Sequence, residues 1–211
     1  MLINLVKKDL LLAKKYLIIM FIFAIAAPIY VQLNSGGGLA SFFVTVIMVQ
    51  YMLVNTVSFA EDKSKGSVLL CTTPYTRDYL VKARYLFILL VFACCYIIYT
   101  LTAFISPIHL EMLGIHALGI SFLATAICFG LMLPFQYRFG YKTTRYIFFF
   151  IIFISLFTFP ALAKSVHINT IFQITVPFSQ GIQDILPWII ALVIGYISML
   201  VSLHIYSHKD F

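Results

Sequence analysis

The stretch that decides the fold is residues 85–106, YLFILLVFACCYIIYTLTAFIS. Its 22 residues contain no charged side chain. A helical segment of about 20 apolar residues is long enough to cross the hydrocarbon core of a bilayer. The stretch also lacks the alternation of polar and apolar residues that marks a strand of a membrane barrel. It therefore predicts a transmembrane helix.

The composition extends this interpretation to the whole chain of 211 residues. Hydrophobic residues make up 63% of it and charged residues only 10%, which is far from the average soluble domain. The net charge of +7 does not indicate nucleic acid, because the basic residues lie in short segments beside apolar runs, as in loops that face anionic lipid. We predict an all-α membrane protein with no nucleic-acid partner.

Six apolar runs are each long enough to span the bilayer. They cover residues 16–33, 39–60, 85–106, 117–135, 146–163 and 186–206. The sequence thus predicts one transmembrane domain over 1–211, with spans 1–2 in 16–60, spans 3–4 in 85–135 and spans 5–6 in 146–206. Six spans and their connections leave no room within this length for a nucleotide-binding domain.

The distribution of basic residues predicts the orientation. Thirteen of the fourteen lie before span 1, between spans 2 and 3, between spans 4 and 5, or after span 6, and only Lys164 lies on the other side. Cytoplasmic loops carry the excess of Lys and Arg, so both termini are predicted to be cytoplasmic. The predicted location is the inner membrane of a bacterium, with several passes.

Residues 1–15 have a basic side. Lys7, Lys8, Lys14 and Lys15 share one arc of a helical wheel, while leucines lie largely away from it. This pattern predicts an amphipathic helix in the membrane interface, with lysines on lipid phosphate. The alternative, that these lysines only anchor and orient span 1, remains equally open.

Residues 61–84 form the most informative connection. An acidic and basic cluster, Glu61-Asp62-Lys63-Ser64-Lys65, begins it, and Pro74-Tyr75-Thr76-Arg77 precedes span 3. This pattern resembles the cytoplasmic loop of ABC-2 type transporter permeases, particularly the small six-span bacterial ones. The six-span layout and the basic N-terminal segment extend the resemblance to the whole chain.

The resemblance implies a coupling helix between spans 2 and 3 that docks on a separate ATP-binding cassette subunit. The docking residues would be Glu61, Asp62, Lys63, Lys65, Leu69, Leu70, Pro74, Tyr75 and Arg77. It also implies two ATPase copies that bind ATP and Mg²⁺, and a second copy of this chain or a similar permease. A solvated loop whose charges only fix topology is the alternative.

Polar residues inside the spans are the other candidates. Gln50 and Asn55 must face a partner helix or a watery path, because exposing an amide to lipid is costly. Hydrogen bonding between helices is the commoner explanation. In the resembling family, helices 2 and 5 line the path between paired permeases, which makes Thr45, Gln50, Asn55, Ser155 and Thr158 candidate path residues.

The absence of several known sequence motifs reduces the number of possible functions. The sequence has no G-x-x-x-x-G-K-[ST], no H-E-x-x-H and no G-x-S-x-G, so we predict no catalytic residue, no metal site and no cofactor in this chain. We expect an exporter permease, with amphipathic antimicrobial or cytolytic peptides as the substrate. A non-transporting scaffold or immunity protein and an intramembrane enzyme are the alternatives.

Overall fold

The computed structural model describes residues 2–35, 37–63, 77–105, 112–165 and 180–207. All regular structure in these ranges is α-helical. The six helices are α1 (Leu2–Ser35), α2 (Gly38–Lys63), α3 (Arg77–Ile105), α4 (Ile115–Phe139), α5 (Tyr141–Ser165) and α6 (Gln180–Ser207). Each contains one of the six predicted apolar runs, except that α3 ends one residue before the end of the third.

Five of the helices are long and apolar enough to cross a membrane. They are α1, α2, α3, α4 and α6, over Leu2–Leu33, Gly38–Lys63, Asp78–Ile105, Ile115–Phe139 and Gln183–Ser207. Helix α5 contains the fifth predicted run, and its 25 residues measure about 37 Å at 1.5 Å per residue. The chain is a multi-pass membrane protein, and six remains the predicted number of spans.

The helices run alternately up and down, and α2 lies at their centre. It packs against α1, α3, α4 and α5, while the most extensive contact of the bundle joins α4 to α6. In its most apolar window, 72% of the residues of α2 are buried, against 17% for α1. Because the helices alternate in direction, the described basic residues from 7 to 145 lie near one end of the bundle, which we call the basic end.

Aromatic rings connect the four central helices. Phe42 on α2 packs edge-on against Phe92 on α3, with ring centroids 5.8 Å apart. Phe92 contacts Phe122 on α4 at 5.1 Å, and Phe122 contacts Trp188 on α6 at 5.3 Å. Gly119 lets the indole approach α4, since a Cβ there would lie 2.9 Å from Trp188. Small residues at such crossings are typical of membrane helices.

The first helix differs from the prediction. Residues 2–35 form one uninterrupted helix of about 51 Å, so the predicted boundary between an interfacial helix at 1–15 and span 1 is not a break. Leu5, Val6 and Ala13 are buried in the core of the protein instead of facing lipid. The cause is a set of ion pairs, described below, that ties the first turns of α1 to α2 and α3.

Two connections are also shorter than predicted. Helix α2 continues to Lys63 and α3 begins at Arg77, so both ends of the predicted 61–84 loop are helical. Between α4 and α5 a single residue, Gly140, replaces the expected loop of about ten residues. Its φ of +82° is a backbone conformation that residues with a Cβ rarely adopt. Its N–H donates to the carbonyl of Gln136 at 3.0 Å, which ends α4.

Candidate functional site

Four charged side chains meet at the basic end, and we call Lys8, Asp9, Glu61 and Arg84 the ion cluster. Lys8 Nζ lies 2.7 Å from Glu61 Oε1 and 3.2 Å from Asp9 Oδ1. Arg84 pairs with the other oxygen of Glu61, and its Nη1 lies 3.7 Å from Asp9 Oδ2. The cluster contains two cations and two carboxylates and therefore has no net charge. It joins α1, α2 and α3.

Burial makes the ion cluster energetically important. Asp9 is 3% exposed and Arg84 5% exposed, so neither charge has access to bulk water. An isolated buried charge is very unfavourable, whereas a paired and hydrogen-bonded one is tolerated. Removing one partner of a buried pair typically costs about 3–5 kcal/mol. The ion cluster therefore holds the first turns of α1 beside the end of α2 and the beginning of α3.

A small cavity of about 60 Å³ adjoins the ion cluster. Gln136 and Tyr137 of α4 and Tyr206 of α6 complete its wall, opposite Arg84. Within the described residues, Arg84 Nη1 and Gln136 Oε1 are buried without a hydrogen-bond partner. A cavity of this size and polarity suits water, which would complete their hydrogen bonding. Through this wall the ion cluster is in contact with α4 and α6.

A second polar group lies deeper, between α3, α4 and α6. Ser198 donates to the carbonyl of Gly130 at 2.5 Å, and Tyr85 OH lies 2.6 Å from Ser198 Oγ and 2.8 Å from Ser202 Oγ. Since the one hydrogen of Ser198 goes to Gly130, Tyr85 must donate to Ser198, and Ser202 in turn to Tyr85. The result is a directed chain from Ser202 to Gly130. It fixes α6 against both α3 and α4.

The predicted path residues on α2 point into the protein. Gln50 is 1% exposed, and its Nε2 donates to the carbonyl of Ile88 on α3 at 3.2 Å. Thr45 is 3% exposed and donates to Ser41 on its own helix at 2.7 Å. Asn55 is half-buried, and its Oδ1 has no hydrogen-bond partner among the described residues. Ser155 and Thr158 belong to α5, and their side chains lie outside the described part of the chain.

The predicted docking residues divide into three groups. Glu61 makes its ion pairs inside the chain, whereas its neighbours Asp62 and Lys63 are exposed. Arg77 begins α3, and its side chain is not described. The remaining five lie in the connection 64–76, outside the described residues: Lys65, Leu69, Leu70, Pro74 and Tyr75.

The four lysines of α1 also have different environments. Lys7, Lys14 and Lys15 are exposed, as the prediction of contact with lipid phosphate requires. Lys8 is half-buried and pairs with Glu61. One of the four predicted lipid contacts is therefore an internal ion pair.

Comparison with known families gives a match over almost the whole chain. The model of a family described as "ABC-2 family transporter protein" matches residues 4–207. The chain belongs to the ABC-2 transporter family. Searches of curated proteins and of solved structures found no match. Members of this family are membrane permeases of ABC transporters and are not themselves enzymes, and they associate with an ATPase partner.

Two features of this ABC-2 chain are absent from the sequence-based predictions. The first is the burial of Asp9, which lies between Leu5 and Ala13 on the apolar side of α1, at intervals of four residues. A carboxylate in such a position needs a buried partner, and that was the available signal. The second is the contact of Ser198 with Gly130. Its signal was Pro134, four residues after Gly130, because a proline deprives that carbonyl of its helical donor.

Proposed function

We propose that this ABC-2 chain is the permease subunit of an ATP-driven exporter and that its ATPase is a separate polypeptide. The observation that supports this proposal is the ion cluster. Its Glu61–Arg84 ion pair ties α2, which precedes the connection 64–76, to α3, which follows it. Force applied to the connection would thus move α2 and α3 as one unit.

The same cluster would spread the movement further. Lys8, through Glu61, and Asp9, through Arg84, attach α1 to the unit, and the wall formed by Tyr137 and Tyr206 brings it against α4 and α6. A partner that pushes or pulls on a short connection could in this way act on five of the six helices. Because charged pairs in a buried cluster resist separation, the movement would be that of packed helices and not of the loop alone.

The proposed docking surface is the exposed end of α2 together with the connection. It contains Asp62 and Lys63, the five predicted residues of 64–76, and Arg77, while Glu61 anchors this surface to the bundle. ATP and Mg²⁺ bind only to the partner. In the proposed assembly, two ATPase subunits act on two permeases, which are two copies of this chain or one copy and a similar chain.

The proposed substrate is an amphipathic peptide, antimicrobial or cytolytic. Support comes from the outward surfaces of the helices, which are apolar over most of their length, with large exposed side chains such as Phe150, Ile154 and Leu192. A path between two such surfaces would favour an apolar or amphipathic molecule over a small hydrophilic one.

Purification of the tagged chain from its native membranes tests the proposal. We expect an ATP-binding cassette subunit to copurify, the complex to have the mass of two permeases and two ATPases, and vesicles containing it to transport peptide only when ATP is hydrolysed. A monomeric chain without an ATPase would contradict the proposal. Protection of cells that persists when the partner cannot hydrolyse ATP would favour the scaffold or immunity alternative.

A further inference from the structure

A groove of about 520 Å³ runs along the outer surface between α4 and α6. Ile127, Leu131 and Phe135 form one wall, and Ile197 and Val201 are part of the other. The groove exists because Gly130 and Ser198 at its floor are small and bring the two helix backbones together. The only hydroxyl there belongs to Ser198, and it is already bonded to Gly130. The body of the groove therefore offers an apolar surface without a free polar group.

The basic end of the groove has a different chemistry. Arg138 lines it there and is its only charged residue. The guanidinium carbon lies 5.5 Å from the centre of the Phe139 ring, which holds the exposed cation beside the groove. Within the described residues Arg138 makes no ion pair. An arginine with free N–H groups is well suited to bind a phosphate.

The length of the groove matches the thickness of one leaflet of a bilayer. From Ile127 to Arg138 the groove extends over twelve residues of α4, and the eleven steps between them measure about 16 Å at 1.5 Å per residue. Half of a hydrocarbon core of about 30 Å is about 15 Å. A lipid chain that fills the groove would place its headgroup at the level of Arg138. We propose that this groove is a binding site for one anionic phospholipid, with an acyl chain between α4 and α6 and the phosphate on Arg138.

A second copy of the chain fits this groove less well. A two-fold axis along the membrane normal would place the same surfaces opposite each other, and Arg138 would then meet Arg138 of the partner at the same height. Like charges close together are unfavourable. An anionic lipid has the complementary charge, and it is present wherever the chain spans a membrane. The proposal depends on the chain being a membrane protein and not on the proposed export activity.

Native mass spectrometry of the whole chain in detergent tests the site, with phosphatidylglycerol and phosphatidylcholine of identical acyl chains as probes. We expect the chain to bind phosphatidylglycerol more tightly, and Arg138→Gln to weaken that binding about fivefold, since one basic residue contributes this order of attraction. Phosphatidylcholine has the same phosphate but no net charge, because its choline is a cation, so its binding should weaken less. Lys142→Gln is the matched control, because Lys142 is exposed near the same end but does not line the groove. It should retain the preference.

A second pair of variants tests the groove itself. Ile197→Trp places an indole in the groove at a position that is 55% exposed, and it should weaken the binding of both lipids. Ile189→Trp adds the same bulk at a position that is 56% exposed and outside the groove, and binding should persist. Equal losses in Arg138→Gln and Lys142→Gln would overturn the proposal in favour of diffuse surface charge. Unchanged lipid binding together with loss of a dimer in Ile197→Trp would show that a second copy occupies the groove.

Discussion

Ser198 on α6 supplies the hydrogen bond that Gly130 on α4 cannot receive from its own helix. The carbonyl of Gly130 would normally accept from the N–H of residue 134, but residue 134 is proline. Ser198 Oγ takes its place at a distance of 2.5 Å. In a membrane a neighbouring helix often satisfies a carbonyl that proline has freed. The missing hydrogen bond within α4 and the attachment of α6 thus have one common cause.

This relationship predicts a rescue. Ser198→Ala should lower the free energy of unfolding by about 1 kcal/mol, because the freed carbonyl stays buried without a donor. Pro134→Ala restores the N–H, so the double variant Pro134→Ala/Ser198→Ala should lose less than Ser198→Ala alone. Unfolding in SDS can be followed through the fluorescence of Trp188, the only tryptophan, which belongs to α6 and packs against Gly119 of α4. If the two changes are simply additive, the carbonyl of Gly130 is not what Ser198 stabilises.

The ion cluster predicts a different pattern of stability. Glu61→Gln or Arg84→Gln leaves an unbalanced buried charge, and each should destabilise the protein by about 3–5 kcal/mol. The double variant restores electrical balance and should lose clearly less than the sum of the two. Lys63→Gln, two residues from Glu61 but exposed, is the control and should change stability by no more than about 0.5 kcal/mol. Strict additivity of Glu61→Gln and Arg84→Gln would argue against the buried pair.

Local sequence patterns predicted the helices well but not their partners. Length and hydropathy suffice to recognise runs such as 85–106, because the bilayer imposes both on any spanning helix. The partners of Asp9 and Ser198 depend on which helices cross and at what height, and a single sequence does not contain that information. Gly140 illustrates the same limit. The polar residues on both sides of it suggested a loop, yet one residue with a positive φ reverses the chain.

Topology is the third prediction. We expect Asn4, Lys65 and Lys142 to be cytoplasmic and Gly37, Glu111 and Lys164 to face outside. Single cysteines at these positions, in a chain whose four native cysteines are replaced, should react in intact cells with an impermeant maleimide only at 37, 111 and 164. Permeabilised cells provide the control, because all six should then react. Labelling of position 65 but not 111 in intact cells would reverse the orientation and remove the proposed docking surface from the cytoplasm.

The last prediction concerns coupling to the ATPase, and the ion cluster determines which variants are informative. Charge reversal at Glu61 would disturb docking and folding together, so the test uses the exposed Asp62 and the predicted docking residues Leu69 and Leu70. Asp62→Lys, or Leu69→Asp with Leu70→Asp, should release the ATPase or uncouple its turnover from export, because reversing or truncating one partner of a docked interface typically costs about 2–5 kcal/mol. The permease should still insert and reach wild-type levels. Lys142→Glu with Arg145→Glu, near the beginning of α5 at the basic end, is the matched control. Both side chains are exposed, so this variant should have little effect, since exposed charges contribute at most about 1 kcal/mol. Copurification of the ATPase and substrate-stimulated ATP hydrolysis are the measurements. If the Asp62 and Leu69/Leu70 variants keep both at the level of the control, the connection 64–76 does not transmit the energy of ATP hydrolysis, and the ion cluster at its base only stabilises the fold.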